Sequence, residues 1–247
     1  MITNDFKSDN QSLFHSTNKQ FFTCIVTAGG SGIRFDKEKK KQFFIINDQP
    51  LINITIGIFY EIEDINEIIV TLPFDEYDTA NHIISKGFPK KVKCIRGGET
   101  RQESVYKALQ YCDIANKYVL IHDAVRPFLK KKDLQAMMEI AINNNAVIPG
   151  SKVKNTIKRV KADEVDVTIQ RDDLIEVYTP QIFKYELIKK YHEMVKTIDF
   201  VFSDDASIFE YFGETVKWYE MDTYNIKITT KEDLYYAIWR LNNIKDL

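Results

Sequence analysis

The 247-residue chain is poor in the features that mark several protein classes. Its three cysteines, Cys24, Cys94 and Cys112, are an odd number with no C-x-x-C pair. That excludes a disulfide scaffold and a thiolate zinc site and predicts reduced thiols in a cytoplasmic protein. No second histidine or cysteine lies at metal-ligand spacing from His122. No apolar run approaches the ~20 residues of a membrane-spanning helix. Thirty-four Lys and Arg against 36 Asp and Glu give a formal net charge of −2, so the basic excess of a general nucleic-acid surface is missing. Internal repeats are absent. Residues 1–20 are rich in Ser, Asn, Gln and Thr and have neither a periodic apolar face nor a signal-peptide core. They read as a disordered tail; Asp5, Asp9 and the lack of Arg there argue against a transit peptide. Residues 21–247 read as a single domain.

Glycine is also scarce, with nine in all, but five of the nine fall in two short stretches. The first, Thr27-Ala28-Gly29-Gly30-Ser31-Gly32-Ile33-Arg34, follows the apolar run Phe21–Val26, which reads as a buried first strand. Bare N–H groups in a tight turn after a strand suit a polyphosphate, because each can donate to an anionic oxygen. Arg34, Lys37, Lys39, Lys40 and Lys41 follow at once. The loop is not a Walker A, for no Gly-Lys-Ser/Thr closes it. It is a poor dinucleotide fingerprint too, because Phe35 stands where a third small residue belongs. An ordinary strand-to-helix turn is the plain alternative.

Strands at Glu67–Leu72, Lys91–Arg96, Tyr118–Ile121 and Ala146–Pro149 alternate with helices at Pro50–Tyr60, Asp75–Lys86, from Thr100, and Lys131–Asn143. Gly87 reads as the C-cap of the second helix. The alternation predicts an α/β fold, a mixed and mostly parallel sheet covered on both faces. Gly97-Gly98 is the second glycine stretch, and Thr100 and Glu103 after it have capping-box spacing. Arg101 is thereby brought to the sheet edge where open α/β sheets bind ligands. Tyr118–Ile121 runs into His122-Asp123-Ala124-Val125-Arg126; an acid just past a central strand can meet a nucleotide-bound metal, although Asp123 and Arg126 can equally form a structural pair. The β-prone runs Thr156–Val160 and Val165–Ile169 flank Lys161–Glu164 as a hairpin. It breaks the alternation and projects as an arm at about 151–172, predicting a subunit contact. Tyr178–Gln181 reads as a turn and Lys184–Val195 as a helix. Ser203 or Asp204 starts another helix. Val216–Glu220 and Asn225–Thr229 read as strands, and Thr230 caps a last helix, Lys231–Asn242.

Eight ordered blocks resemble the 2-C-methyl-D-erythritol 4-phosphate cytidylyltransferases. They are Ala28-Gly29-Gly30-x-Gly32-x-Arg34, Lys41-Gln42, Gly97-Gly98-x-x-Arg101-x-x-Ser104-Val105, His122-Asp123-Ala124-x-Arg126-Pro127, Asn155-Thr156-Ile157-Lys158, Thr179-Pro180-Gln181, Asp204-Asp205-Ala206-Ser207 and Asn225-Ile226-Lys227-Ile228-Thr229. The resemblance implies a Rossmann-like nucleotidyltransferase fold with a seven-stranded mixed sheet and a homodimer made by the β-arm. It implies attack of a polyol phosphate on the α-phosphorus of CTP, with release of pyrophosphate. It makes Arg34 and Lys41 the catalytic cations. CTP falls to Ala28, Gly29, Gly30, Gly32, Gly98, Arg101, Ser104 and Asp123. The acceptor phosphate falls to Thr156, Arg171 and Lys227, with Thr156 and Arg171 serving the partner's site. Mg²⁺ is the implied cofactor, with Asp123 its candidate ligand.

The chain departs from the family pattern in places. Lys40 replaces a customary proline, which predicts a less rigid loop around Lys41. Asn155 stands for an Asp. Tyr224 precedes Asn225 where the methylerythritol enzymes commonly have Asp and the related ribitol 5-phosphate cytidylyltransferases often have Tyr. Residues 123–128 lean the same way, while Thr156-Ile157-Lys158 and Asp204–Ser207 lean back. D-ribitol 5-phosphate is therefore the alternative acceptor. A sugar-1-phosphate enzyme is disfavoured because Lys41 leads into Gln42-Phe43. A silent nucleotide-binding module predicts missing cations, yet Arg34, Lys41, Arg171 and Lys227 are all present.

Overall fold

The computed structural model describes residues 20–29, 40–222 and 224–244. The expected tail lies outside the described residues except for Gln20, and so do Gly30, Gly32 and Arg34. The strands are β1 (Phe22–Thr27), β2 (Ile45–Ile46), β3 (Gln49–Pro50), β4 (Ile65–Leu72), β5 (Val92–Arg96), β6 (Tyr118–Asp123), β7 (Ala146–Lys152), β8 (Ile157–Lys161), β9 (Glu164–Ile169), β10 (Ile175–Val177), β11 (Gln181–Lys184) and β12 (Lys217–Glu220). The helices are α1 (Leu51–Tyr60), α2 (Tyr77–Gly87), α3 (Arg101–Leu109), α4 (Lys131–Ile142), α5 (Tyr185–Met194), α6 (Asp205–Tyr211) and α7 (Lys231–Asn243).

The main sheet has the order β10-β7-β11-β6-β1-β4-β5, with β12 also paired to β7. That is eight strands, one more than the resemblance implies. β1 pairs in parallel with both β4 and β6, and β4 with β5. Strand β11 runs antiparallel between β6 and β7, so the sheet is mixed. β1 shows why the sheet is covered twice. Its alternate residues Cys24 and Val26 join a core with Ile56 and Phe59 of α1, Ile84 of α2 and Met137 of α4. Ile25 faces the other way, into a core with Val105 of α3, Ile188 of α5 and Phe209 of α6. Helix α7 closes a third cluster through Leu234 and Ala237, against Leu51, Phe128 and Ile228.

Four expectations are corrected. Gly87 is the last residue of α2, and Phe88 is the C-cap. Gly87 serves close approach instead, since a Cβ there would lie 3.3 Å from Asn53 Nδ2 on α1. Pro50 sits at the N-cap of α1, not in its first turn; it pairs with Ile45 across an Asn47-Asp48 turn whose φ angles of 48° and 63° match a tight two-residue hairpin. The turn read at Tyr178–Gln181 runs straight into β11 through a cis Thr179–Pro180 peptide. Asn225–Thr229 joins no sheet, because its backbone groups are bonded elsewhere. Arg126 Nη1 donates to the Asn225 carbonyl at 2.9 Å, Ile228 N–H to Val125, and Thr229 N–H to the Asp233 carboxylate.

The arm forms as expected, as a two-stranded sheet of its own, β8 with β9. Its turn takes Ala162 into the left-handed region, at φ 49°, where a residue with a Cβ is disfavoured. Val160, Val165 and Val167 are exposed, at 60%, 61% and 41%, so its apolar side chains lack cover within one chain.

Candidate active site

The parallel strands β1, β4, β5 and β6 end together, and register puts Thr27 beside Asp123 on one side and Thr71 on the other. The two glycine stretches meet at this edge around Ser104, in the first turns of α3. The buried Ser104 hydroxyl accepts the Gly98 N–H at 2.9 Å and donates to the Thr100 carbonyl at 2.9 Å. A Cβ on Gly97 would stand 2.8 Å from Ser104 Oγ, and one on Gly29 3.2 Å from it. A side chain at Gly97 would force Ser104 or the Leu72 carbonyl to shift, and one at Gly29 would crowd the same hydroxyl. Helix α3 starts as its sequence implies. Thr100 Oγ1 accepts the Glu103 N–H, but the Glu103 carboxylate turns to the Glu99 N–H, one residue earlier than a capping box.

Ala28 is buried, and its carbonyl accepts from Gln42 Nε2 at 2.7 Å. This bond ties the short 3-10 turn Lys41–Phe43 to the end of β1 and so sets where Lys41 stands. Lys40, in the customary proline's place, pairs with Asp75 at 2.7 Å. The segment bearing Lys41 is therefore tethered from both its sides.

Asp123 ends β6 and is buried. Its Oδ2 takes Lys227 Nζ at 3.0 Å and Arg126 Nε at 3.1 Å, while Oδ1 has Arg101 Nε at 3.4 Å and Thr27 Oγ1 at 3.5 Å. Burial alone would raise this carboxyl, but Arg101, Lys227 and Arg126 outweigh it and hold Asp123 well below the usual carboxylate range. Arg101 also donates through Nη1 to Asp205 of α6 at 2.7 Å. Three cations against Asp123 and Asp205 leave one positive charge in surplus, before Lys41 is counted. Such a surface attracts a polyphosphate.

Behind Asp123 the polar groups are matched one to one. His122 Nε2 bonds the Arg126 carbonyl at 3.0 Å, so that nitrogen carries the hydrogen. Its Nδ1 then accepts from the Thr179 hydroxyl at 2.9 Å, and Thr179 Oγ1 accepts the Asp123 N–H at 3.2 Å. Burial pushes the His122 imidazole down to about 4. His122 is thus a core residue that fixes the Asp123 backbone.

A divalent cation fits this chemistry in a limited way. The loosely held Asp123 Oδ1 on an ionised carboxylate suits Mg²⁺, which takes few protein ligands and fills the rest with phosphates and water. No cluster of three His, Cys, Asp or Glu able to cage a metal occurs among the described residues.

Of the residues predicted from sequence, Ala28, Gly29, Gly98, Arg101, Ser104, Asp123 and Lys227 share this edge. Thr156 and Arg171 do not join it. Both are exposed at the foot of the arm, where Arg171 Nη1 donates to the Lys154 carbonyl. Sequence reasoning left out Asp205 and Asn225 as site builders and left Arg126 undecided. Asn225 holds the Thr179 carbonyl at 2.8 Å. All three lie within quoted blocks, so the blocks themselves were the available signal. The departure at Tyr224 is absorbed inside the fold: its hydroxyl donates to the buried Asp133 carboxylate at 3.1 Å, and Lys130 Nζ lies 4.1 Å from its ring centre.

A glycine cradle beside fixed cations, at the carboxyl edge of a mixed α/β sheet, defines a nucleotidyltransferase. Residues 22–243 match the family described as 2-C-methyl-D-erythritol 4-phosphate cytidylyltransferase, IspD. The enzyme of that name from Clostridium perfringens SM101 is 43% identical over 218 residues, covering 86% of this chain and 95% of the relative. Its namesake from Bacillus cytotoxicus is 40% identical over 217 residues, covering 87% and 96%. The crystal structure of 4-diphosphocytidyl-2C-methyl-D-erythritol synthase from Anaerococcus prevotii superposes with a TM-score of 0.81 at 30% identity, covering 92% of this chain and 98% of that one. The chain belongs to the 2-C-methyl-D-erythritol 4-phosphate cytidylyltransferase family.

Proposed function

We propose that this protein transfers CMP from CTP to 2-C-methyl-D-erythritol 4-phosphate and releases pyrophosphate, a step of non-mevalonate isoprenoid synthesis. The carrying observation is the Asp123 cluster, where Arg101, Arg126 and Lys227 converge beside the Ser104 glycine cradle. An oxygen of the acceptor phosphate attacks the α-phosphorus, and the bond to the pyrophosphate oxygen breaks. The nucleophile is already an anion, so no general base is called for. The chemistry asks instead for positive charge fixed in place before reaction.

Ala28, Gly29, Gly30, Gly32, Gly98 and Ser104 hold the nucleoside end and the phosphate turn of CTP, and Arg101 and Asp123 border its phosphates. Arg34 and Lys41 carry the charge that develops on the α-phosphate and the leaving group. Lys227 holds the acceptor phosphate. Thr156 and Arg171 complete that subsite from a second copy through the arm, a reading supported by its uncovered valines. Asp123 Oδ1 would hold Mg²⁺, which would supply charge neutralisation on the CTP phosphates. The three free thiols, Cys24, Cys94 and Cys112, suit the cytoplasm, and no helix among the described residues is long and apolar enough to cross a membrane.

Pyrophosphate release with CTP and Mg²⁺ tests this, run side by side on methylerythritol 4-phosphate and D-ribitol 5-phosphate. Turnover on the first alone is expected. Turnover on the second alone overturns the acceptor assignment.

A further inference from the structure

We propose that Asp205 and His192 form a buried positioning pair that sets the Arg101 guanidinium for CTP. The proposal rests on the assignment of Arg101 to CTP made above. Arg101 opens α3 with its side chain 31% exposed, the posture of a residue that meets a ligand. Its short bond is not to Asp123 at the site, 3.4 Å away, but to Asp205 at 2.7 Å.

Asp205 in turn is held from behind. Its side chain is 1% exposed, and its second oxygen, Oδ1, lies 3.1 Å from His192 Nε2 on α5. A carboxylate only accepts, so Nε2 carries the hydrogen. Burial alone would raise the Asp205 carboxyl, yet Arg101 and His192 keep it below the usual range and hence ionised. The backbone beneath is fixed as well. Gln181 Oε1 accepts the Ala206 N–H at 3.1 Å, and Gln181 Nε2 donates to Asp204 at 2.6 Å, pinning the first turn of α6 to β11.

Packing does not explain the histidine. His192 is fully buried, and among the described residues its Nδ1 has no partner. An unpaired ring nitrogen in a core is a cost that an apolar residue would avoid. Among the described residues, the side-chain hydrogen bond of His192 goes to the Asp205 carboxylate. The chain His192–Asp205–Arg101 therefore runs from α5 through α6 to the end of α3 that faces the site. A free arginine side chain loses rotamer entropy when it is ordered, and fixing it beforehand removes that loss from the binding step. Without the pair, among the described residues only the long contact to Asp123 would hold the guanidinium.

The test is a double-mutant cycle on the full chain, read by calorimetric CTP binding without acceptor and by KM for both substrates. His192→Leu is expected to weaken CTP by about tenfold and to leave the acceptor KM within about twofold. His192→Gln, whose amide nitrogen can reach the same oxygen, is expected to restore most of the loss. In an Arg101→Ala background, His192→Leu should have no further effect on CTP. The proposal is overturned if His192→Leu lowers the melting temperature but leaves CTP affinity within about twofold. It is equally overturned if the loss persists undiminished on Arg101→Ala. Should His192→Leu not fold, Asp205→Asn takes its place in the same cycle with the same two outcomes. A wild-type protein that binds no CTP overturns the reading of the site itself, and this pair with it.

Discussion

Under the proposed function, single side chains at the sheet edge divide into those that would touch the reacting phosphates and those that hold the edge in shape. Lys41 belongs to the first group. Lys41→Ala is expected to lower kcat by about 10²–10³-fold with CTP still bound, the scale seen when one charge-stabilising donor is removed; stopped-flow turnover beside CTP titration checks it. Ser104 belongs to the second. Ser104→Ala strands the Gly98 N–H and is expected to cost about 1–2 kcal/mol in urea unfolding and to raise KM for CTP. Candidates for the first group could be named from the sequence, because cations after a glycine turn declare their chemistry through residue type and spacing. The second was not. Asp205 and His192 acquire their roles from partners that only folding brings near, Arg101 and Asp205 being separated by 104 positions in the chain, whereas Arg126 was readable as a partner of Asp123 three residues away but not of the Asn225 carbonyl.

At the scale of elements, the β/α alternation up to β7 was readable because the central strands β1, β4 and β6 are largely buried apolar runs and each helix has its own period. Beyond β7 the signal weakens. β10 and β11 have only three and four residues, and their partners lie far upstream, so no local pattern announces them. Asn225–Thr229 has the alternation of a strand, yet its hydrogen bonds go to a loop and to the start of α7. The arm was readable from its β-branched runs. Deleting residues 157–169 is expected to convert a dimer into a monomer by light scattering and to abolish turnover, since Thr156 and Arg171 lose their support. A deletion protein that remains dimeric refutes the arm's part in assembly.

For the whole molecule, stability should depend on pH in a window set by His122. Its folded value, about 4, lies below the ordinary histidine value near 6.5. Between the two the unfolded chain binds a proton that the native protein refuses. Stability is thus full above about 6.5 and falls as pH drops toward 4. From pH 7 to pH 5 the loss should be about 2 kcal/mol, measured by urea unfolding, and His122→Gln should flatten it. Asp123 and Asp205, held below the carboxylate range, add their losses only below about pH 4, where the unfolded carboxylates begin to protonate.

The antiparallel insertion of β11 has a bearing on how the protein is made. β6 sits at the centre of the sheet, but its neighbour β11 ends 61 residues later, at Lys184 against Asp123. At about 5–20 residues per second, the ribosome needs about 3–12 s to deliver it. During that interval nascent β6 has one open edge, apolar from Tyr118 to Ile121, and is exposed to pairing with other chains. A pause in translation between residues 123 and 184 should therefore favour aggregation, while one after residue 184 should not.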